Sequence, residues 1–273
     1  GRRPKSGARP KSAGPKTGGS QRGSGAGIWK KSGEGGGPPS AAPSDSGAGE
    51  TPLQLEHARA ALAQAEMEGY GPEAIRVRRS EVVELSNQRA VQMLAKGELP
   101  TCYKLLDEAQ RLLDYEGELS PLAAVTANNL ACYYRRKQQL DKALHQLRRA
   151  SQIEAQCAAP RGPADTQINL CVVLSELGRH EEAAGHAGHA LRLVEAEAAA
   201  AAEAGEKLSA DRAAVHASAL HNLSVEQGCL GLLEKAEASR SAAWAVAEEQ
   251  LGRLHPVSMA IRASMDAAAK AAK

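Results

Sequence analysis

Phenylalanine is missing altogether from this chain of 273 residues, and two Trp with five Tyr bring the aromatics to only 3%. The basic N-terminal stretch holds a single ring, Trp29, so it lacks the stacking platforms on which RNA-binding segments rely, which argues against nucleic acid as a partner. No run of about 18 or more apolar residues occurs, and no charged segment leads into an apolar core. Neither a membrane span nor a secretion signal is read. A start at Gly1 without Met leaves room for a preceding segment. The cysteines, Cys102, Cys132, Cys157, Cys171 and Cys229, are odd in number and lack CxxC spacing. They read as small buried residues of a reducing compartment. The glycine-rich part lacks the GxxxxGK[ST] order, and no strand precedes it, so no nucleotide site is expected.

What is present divides the chain at Glu50. Residues 1–50 hold 14 of the 26 Gly and 6 of the 13 Pro, with Ile28 and Trp29 as their large apolar side chains. Such a segment cannot bury enough apolar surface to offset its ordering entropy, and it is expected to be disordered when free. Nine Lys or Arg against Glu34, Asp45 and Glu50 give it +6, which leaves −4 for the rest of a chain of net charge +2. Its first residues repeat a theme: Arg3-Pro4-Lys5-Ser6-Gly7, Arg9-Pro10-Lys11-Ser12-Ala13, Gly14-Pro15-Lys16-Thr17-Gly18. Proline keeps each unit extended while the cations stay in water, which suits an acidic surface such as that of tubulin. Ile28, Trp29, Lys30 and Lys31 are read as an anchor for a partner's pocket, because the ring has nothing local to pack on; the plain alternative is an incidental exposed aromatic.

From Thr51 the composition shifts to Ala, Leu, Glu, Gln and Arg, all strong helix formers. Thr51-Pro52 reads as an N-cap followed by a first-turn proline. Leu55, Ala58, Leu62 and Ala65 share one face, which predicts a helix to about Glu68. Gly69-Tyr70-Gly71 closes this 51–71 segment, and Pro72 opens a second helix to about Lys96.

Across 72–255 a skeleton recurs. Small residues stand at Ala90, Ala131, Cys171 and Ser224, then at Cys102, Ala143, Ala183 and Ala236, then at Ala109, Ala150, Ala190 and Ala243. A turn falls between the first two positions, marked by Gly97, Gly178 and Gly231, with Gln138 in the second unit. Small side chains at such points let two antiparallel helices, and then the next pair, approach closely. The pattern resembles the tetratricopeptide repeat family, whose large apolar position is filled here by Met93, Tyr134, Leu174 and Gln227. The resemblance implies an all-α fold, an α-solenoid of about four helix pairs over 72–255, closed by a capping helix in 256–273 that is predicted to end near Ala268.

The unit spacings of 41, 40 and 53 exceed the roughly 34 residues usual for the family. Six or seven extra residues are nearly two helical turns, so each helix gains about one turn without rotating its apolar face. The lengthened form resembles the kinesin light chain type of repeat, as does Leu251-Gly252-Arg253-Leu254-His255-Pro256. Within the widest gap, the Ala and Glu run from Glu195 to Ala204 is expected to prolong a helix as a protruding, solvated arm that Gly205 ends. Gln227 and Arg240, where apolar residues are preferred, mark the fourth unit as degenerate, and Arg89 makes the first less regular.

No catalytic constellation emerges. His180, His186 and His189 lie close in sequence, but no Cys or Asp nearby completes a ligand set, so neither metal nor cofactor is expected. The binding pattern is stronger. The resemblance implies that the first helix of each pair lines a concave groove, into which Gln88, Asn129, Asn169 and Asn222 face. Carboxamides repeated once per unit can donate to and accept from a peptide backbone; the plainer alternative is that Asn tightens helix packing. Arg135 and Arg136 would add an acidic preference, although Asp165, Ser175 and Glu176 in the next unit, and Ser218, Gly228 and Cys229 in the last, argue against a clamp for carboxylate termini.

The expectation is a non-enzymatic scaffold that docks with other proteins in a large assembly, its basic tail laid on an acidic partner. The runs Asn128–Tyr134 and Ile168–Ala183 resemble repeat proteins of motile cilia and flagella in protists, which implies a cytoplasmic, cytoskeletal place in the axoneme. A soluble adaptor of kinesin light chain type that binds peptides, and a ribonucleoprotein component, are the alternatives.

Overall fold

A computed structural model describes residues 50–116, 120–157 and 163–271, which form helices without a strand among them. In chain order these are α1 (Glu50–Met67), α2 (Pro72–Ala95), α3 (Leu99–Glu116), α4 (Pro121–Arg136), α5 (Leu140–Cys157), α6 (Pro163–Glu176), α7 (His180–Glu203), α8 (Ala210–Cys229), α9 (Leu233–Gln250) and α10 (Pro256–Ala271). The reading of the N-terminal tail, including the Ile28-Trp29-Lys30-Lys31 anchor, lies outside the described residues. Prolines open helices here rather than break them. Pro72, Pro121, Pro163 and Pro256 each supply a first helical residue, where the missing N–H is not needed. Ser120 and Ser209 cap α4 and α8 by accepting from the N–H groups of Ala123 and Arg212. α1 begins at Glu50, one residue ahead of the Thr51 expected as its cap, and buries Leu55, Ala58, Leu62 and Ala65 as one face.

Helices α2/α3, α4/α5, α6/α7 and α8/α9 are the four pairs, and the small residues lie where they cross. All three sets, from Ala90 through Ala243, are at most 1% exposed. Each first helix ends in the same way: the residue after the turn sends its N–H five positions back, from Glu98 to Met93, Gln139 to Tyr134, Arg179 to Leu174 and Leu232 to Gln227, at 2.8–2.9 Å. That 6→1 closure places the residue before it in the left-handed region, φ 79° at Gly97, 74° at Gly178, 77° at Gly231 and 57° at Gln138. α10 covers the far end, with Val257 and Ile261 packed on Ala243 and Ala247.

Successive pairs meet unequally. α2 packs on α4, α4 on α6 and α6 on α8, with no comparable row among α3, α5, α7 and α9. A stack whose first helices touch while its second helices fan apart is curved, with the first helices on its short side.

One expectation is corrected. The Glu195–Ala204 stretch does prolong α7 as far as Glu203, Gly205 ends it, and most of its residues are exposed as expected, but it is one side of a hairpin rather than a lone arm. α8 returns along it, Leu208 packs among Ile168, Val194 and Val215, and Arg212 binds Glu197 at 2.6 and 2.7 Å and Asp165 at 2.9 Å. The sequence between Gly205 and Asp211 is short, so the chain has to turn straight back, and the apolar Leu208 and Val215 supply the face that closes the hairpin.

Gln138 is the non-glycine residue among the four equivalent turns, and its Cβ makes the left-handed backbone costly. Replacing Gln138→Gly is expected to stabilise the fold by about 1 kcal/mol, read as a rise in the urea midpoint at unchanged m-value.

Candidate functional site

The inner row of first helices is held together by side chains rather than left open between units. Asn129 on α4 donates from Nδ2 to Oδ1 of Asn87 on α2 at 2.8 Å, and Asn87 in turn donates to Thr126 Oγ1 at 2.8 Å and to its own helix at Val83 O. One unit on, Asn169 of α6 donates to Asn128 Oδ1 at 3.0 Å. The rule is the same in both cases: the repeated Asn of one unit bonds the residue just before the equivalent position in the preceding unit. In the third unit that acceptor position is Ile168, so Nδ2 of Asn222 on α8 is buried without a partner among the described residues. The structure thus places Asn129, Asn169 and Asn222 on the inner row at 7%, 8% and 2% exposure, the first two as rungs of a ladder between units and the third without one. Gln88 stands apart from the ladder, more open and 3.5 Å from Glu84 on its own helix.

Arg135 and Arg136 are not free to meet an acidic partner in the way their exposed-looking sequence suggested. Arg135 bonds Glu176 on α6 at 2.9 and 3.0 Å, with both side chains under 15% exposed, and Arg136 reaches back to the Leu94 carbonyl of α2 at 3.3 Å. A guanidinium has five donors in a planar fork, which lets one residue tie two helices.

The histidine cluster also resolves differently from its sequence spacing. His186 Nδ1 is 2.6 Å from Gln167 Oε1, whereas His180 Nδ1 is 2.8 Å from Oε2 of Glu226 on α8, with Cys229 one turn beyond; a ligand atom from each of His180, Glu226 and Cys229 lies within 4.8 Å of the others. The residues that gather at His180 come from another helix, 46 and 49 positions away, which no local spacing reveals.

Burial governs the titrating groups. It pushes the thiol of Cys102 up to about 12 and also raises Cys132 and Cys171, so these sulfurs stay protonated and offer no nucleophile. His221, buried beside Arg240, is driven down to about 3 and remains neutral. Glu154 on α5 is pushed up to about 7 by burial, against the hydrogen bond it accepts from Thr166 on α6 at 2.7 Å; its Oε2 has no partner among the described residues. A hollow of about 530 Å³ between α1 and α3, lined by Arg59, Thr101, Lys104, Glu108 and Arg111, is an open depression. Arg59 and Glu108 pair across it.

No protein-family model matches the chain, and no curated protein matches it significantly. Solved structures with a similar arrangement include BtubC (BKLC) from P. vanneervenii, at 19% identity and TM-score 0.42, covering 80% of this chain and 92% of that one. The nearly identical TPR-like repeats of a kinesin light chain candidate from Podosopora anserina match at 15% identity and TM-score 0.47, covering 73% and 96%. With TM-scores of 0.42 and 0.47, these likenesses leave every further statement to the residues themselves.

The ladder and Glu154 each give a measurable outcome. Asn129→Ala strands Oδ1 of Asn87 and is expected to cost about 1–3 kcal/mol, whereas Asn222→Ala gives up no bond of its amide and costs less; urea denaturation of the pair reads the difference. For Glu154 the folded state holds its proton above the ordinary value of 4.5, up to about 7. Between those two pH values the unfolded chain releases a proton that the folded chain keeps, so stability falls as pH rises through the window and then levels off. Glu154→Gln is accordingly expected to melt higher than the parent at pH 8, with the gap closing as pH falls towards 5.

Proposed function

We propose that this chain is a non-catalytic scaffold of a larger protein assembly, taking a partner segment along its inner row of first helices while the basic residues 1–50 lie on an acidic protein surface. The observation that carries the reading is the continuous packing of α2, α4, α6 and α8, locked by the Asn87–Asn129 and Asn128–Asn169 bonds. A row fixed in register by buried side chains is a rigid, pre-organised platform, which lowers the ordering cost of binding. Asn129 and Asn169 lie nearly buried at its floor and hold it in shape. The half-exposed Gln88, Asn128 and Cys132 widen the contact, and Arg135 and Arg136 line its far end. The protonated thiols and open hollows fit binding better than chemistry.

Cytoskeletal proteins with acidic surfaces, tubulin among them, are the partner class proposed for the tail, whose +6 charge is set against a body of −4. A place in the ciliary or flagellar axoneme is the finer form of this proposal, and it rests on the wording of the central units alone. No described helix is long and apolar enough to cross a membrane.

Co-sedimentation with microtubules, and separately with RNA, tests the proposal. The full chain is expected to pellet with microtubules at low salt, to lose that binding steeply as salt rises, and to lose it outright when residues 1–49 are removed. Pelleting with RNA in preference to microtubules would overturn the partner assignment in favour of a ribonucleoprotein. No pelleting with either would move the weight to the inner row and to a peptide-binding adaptor.

A further inference from the structure

We propose that the third and fourth units are joined by a divalent-metal site of zinc type, built from His180, Glu226 and Cys229. His180 is the first residue of α7, and Glu226 and Cys229 are three apart on α8, a spacing that puts both on one helical face. One ligand atom from each lies within 4.8 Å of the others, and His180 Nδ1 is already 2.8 Å from Glu226 Oε2. Tetrahedral zinc, with nitrogen and oxygen at about 2.0–2.1 Å and sulfur at about 2.3 Å, holds its ligand atoms roughly 3.3–3.6 Å apart. Small side-chain rotations reach that geometry: the His–Glu pair opens slightly and the thiolate closes in.

Burial and charge supply the second argument. The Glu226 side chain is only 2% exposed, and among the described residues its ion-pair partner is the His180 ring. An ionised carboxylate in such a place is costly unless a cation meets it. A carboxylate and a thiolate together carry −2, so a divalent ion bound with a neutral imidazole makes the cluster electrically neutral. Thiolate and imidazole select zinc over magnesium or calcium, which take oxygen ligands. The His180 side chain is 30% exposed, so the fourth position opens to water. The site lies across the interface where the carboxamide ladder fails, at Asn222, and it would pin α7 to α8 there. The competing explanation is a His–Glu hydrogen bond alone, with Cys229 incidental.

Titration of the full, tag-free, chelator-treated chain with Co²⁺ and then Zn²⁺ separates the two. The expected result is one Co²⁺ per chain with the intense visible bands of tetrahedral cobalt and a near-ultraviolet thiolate charge-transfer band, all displaced by Zn²⁺, together with a Zn²⁺-dependent rise in melting temperature. Cys229→Ser, which keeps the size of the residue, should abolish the charge-transfer band and the thermal shift. It should also weaken binding by more than the roughly 10- to 100-fold that outer-layer partners are worth. His189→Ala should change none of these. Absence of the charge-transfer band, or a band and thermal shift that survive Cys229→Ser, would overturn the proposal and leave the hydrogen bond alone.

Discussion

Close approach of helix backbones is the constraint on which the remaining structure depends. Ala143, Ala183 and Ala236 within pairs, and Ala109, Ala150, Ala190 and Ala243 between them, are essentially without solvent exposure because each sits where two helices cross. Short side chains make such crossings possible, but they also limit how much apolar area any one crossing hides. With no Phe and few other rings, a single pair cannot bury a core of its own. The five buried clusters accordingly run across unit boundaries: Leu130 of α4 packs with Val82 and Leu106 of the first pair, and Leu170 and Leu174 of α6 pack with Leu144 and Leu147 of α5. Stability is therefore shared between neighbours along the stack.

Apolar crossings of near-identical small residues do little to fix register, since sliding one pair along another would replace alanine by alanine. Buried polar bonds supply the missing specificity, because each donor meets its acceptor in one register alone. Asn129 to Asn87, Asn169 to Asn128 and Arg135 to Glu176 all join the same kinds of positions one unit apart. A slip by one residue would leave those groups buried and unpaired, at a cost that exceeds the small gain of any one bond.

Much of this was legible in the residues, because small side chains, glycines and prolines act locally. Pro72, Gly97, Gly178, Gly205, Gly231 and Pro256 mark helix ends in the sequence and in the structure alike. α2 stops at Ala95 where Lys96 was expected, and α10 runs on to Ala271 past Ala268. What could not be read was the destination of the polar side chains. An Asn repeated once per unit is equally consistent with facing a ligand and with facing its neighbour. The choice is made by the residue one position earlier in the preceding unit, some forty residues away. The same holds for His180, whose sequence neighbours His186 and His189 suggested one grouping while α8 supplied another. The arm's partner was hidden for a related reason: Arg212 and Leu208, beyond the turn, bring α8 back along α7.

In the fourth unit the ladder's rule is broken, and the junction changes character. Ile168 removes the acceptor that Asn222 would need, and α8 then carries Ser218, His221, Asn222, Ser224 and Glu226 buried on one helix, with atoms on Ser218, His221 and Asn222 that find no partner among the described residues. Each such atom costs free energy, so the junction has to be held by something other than the ladder. Two devices replace it, one at each end of α8: Arg212 gripping Asp165 and Glu197 near its start, and His180 meeting Glu226 near its close. Both are ionic or ionisable, whereas the junctions before them combine a carboxamide bond with charged contacts such as Arg135 to Glu176. The 53-residue spacing and the missing carboxamide bond coincide at the third-to-fourth junction, where α7 and α8 form a longer hairpin than the units before it. Departures from local consistency concentrate where a protein has been adapted to a task, and in this chain they concentrate on α8.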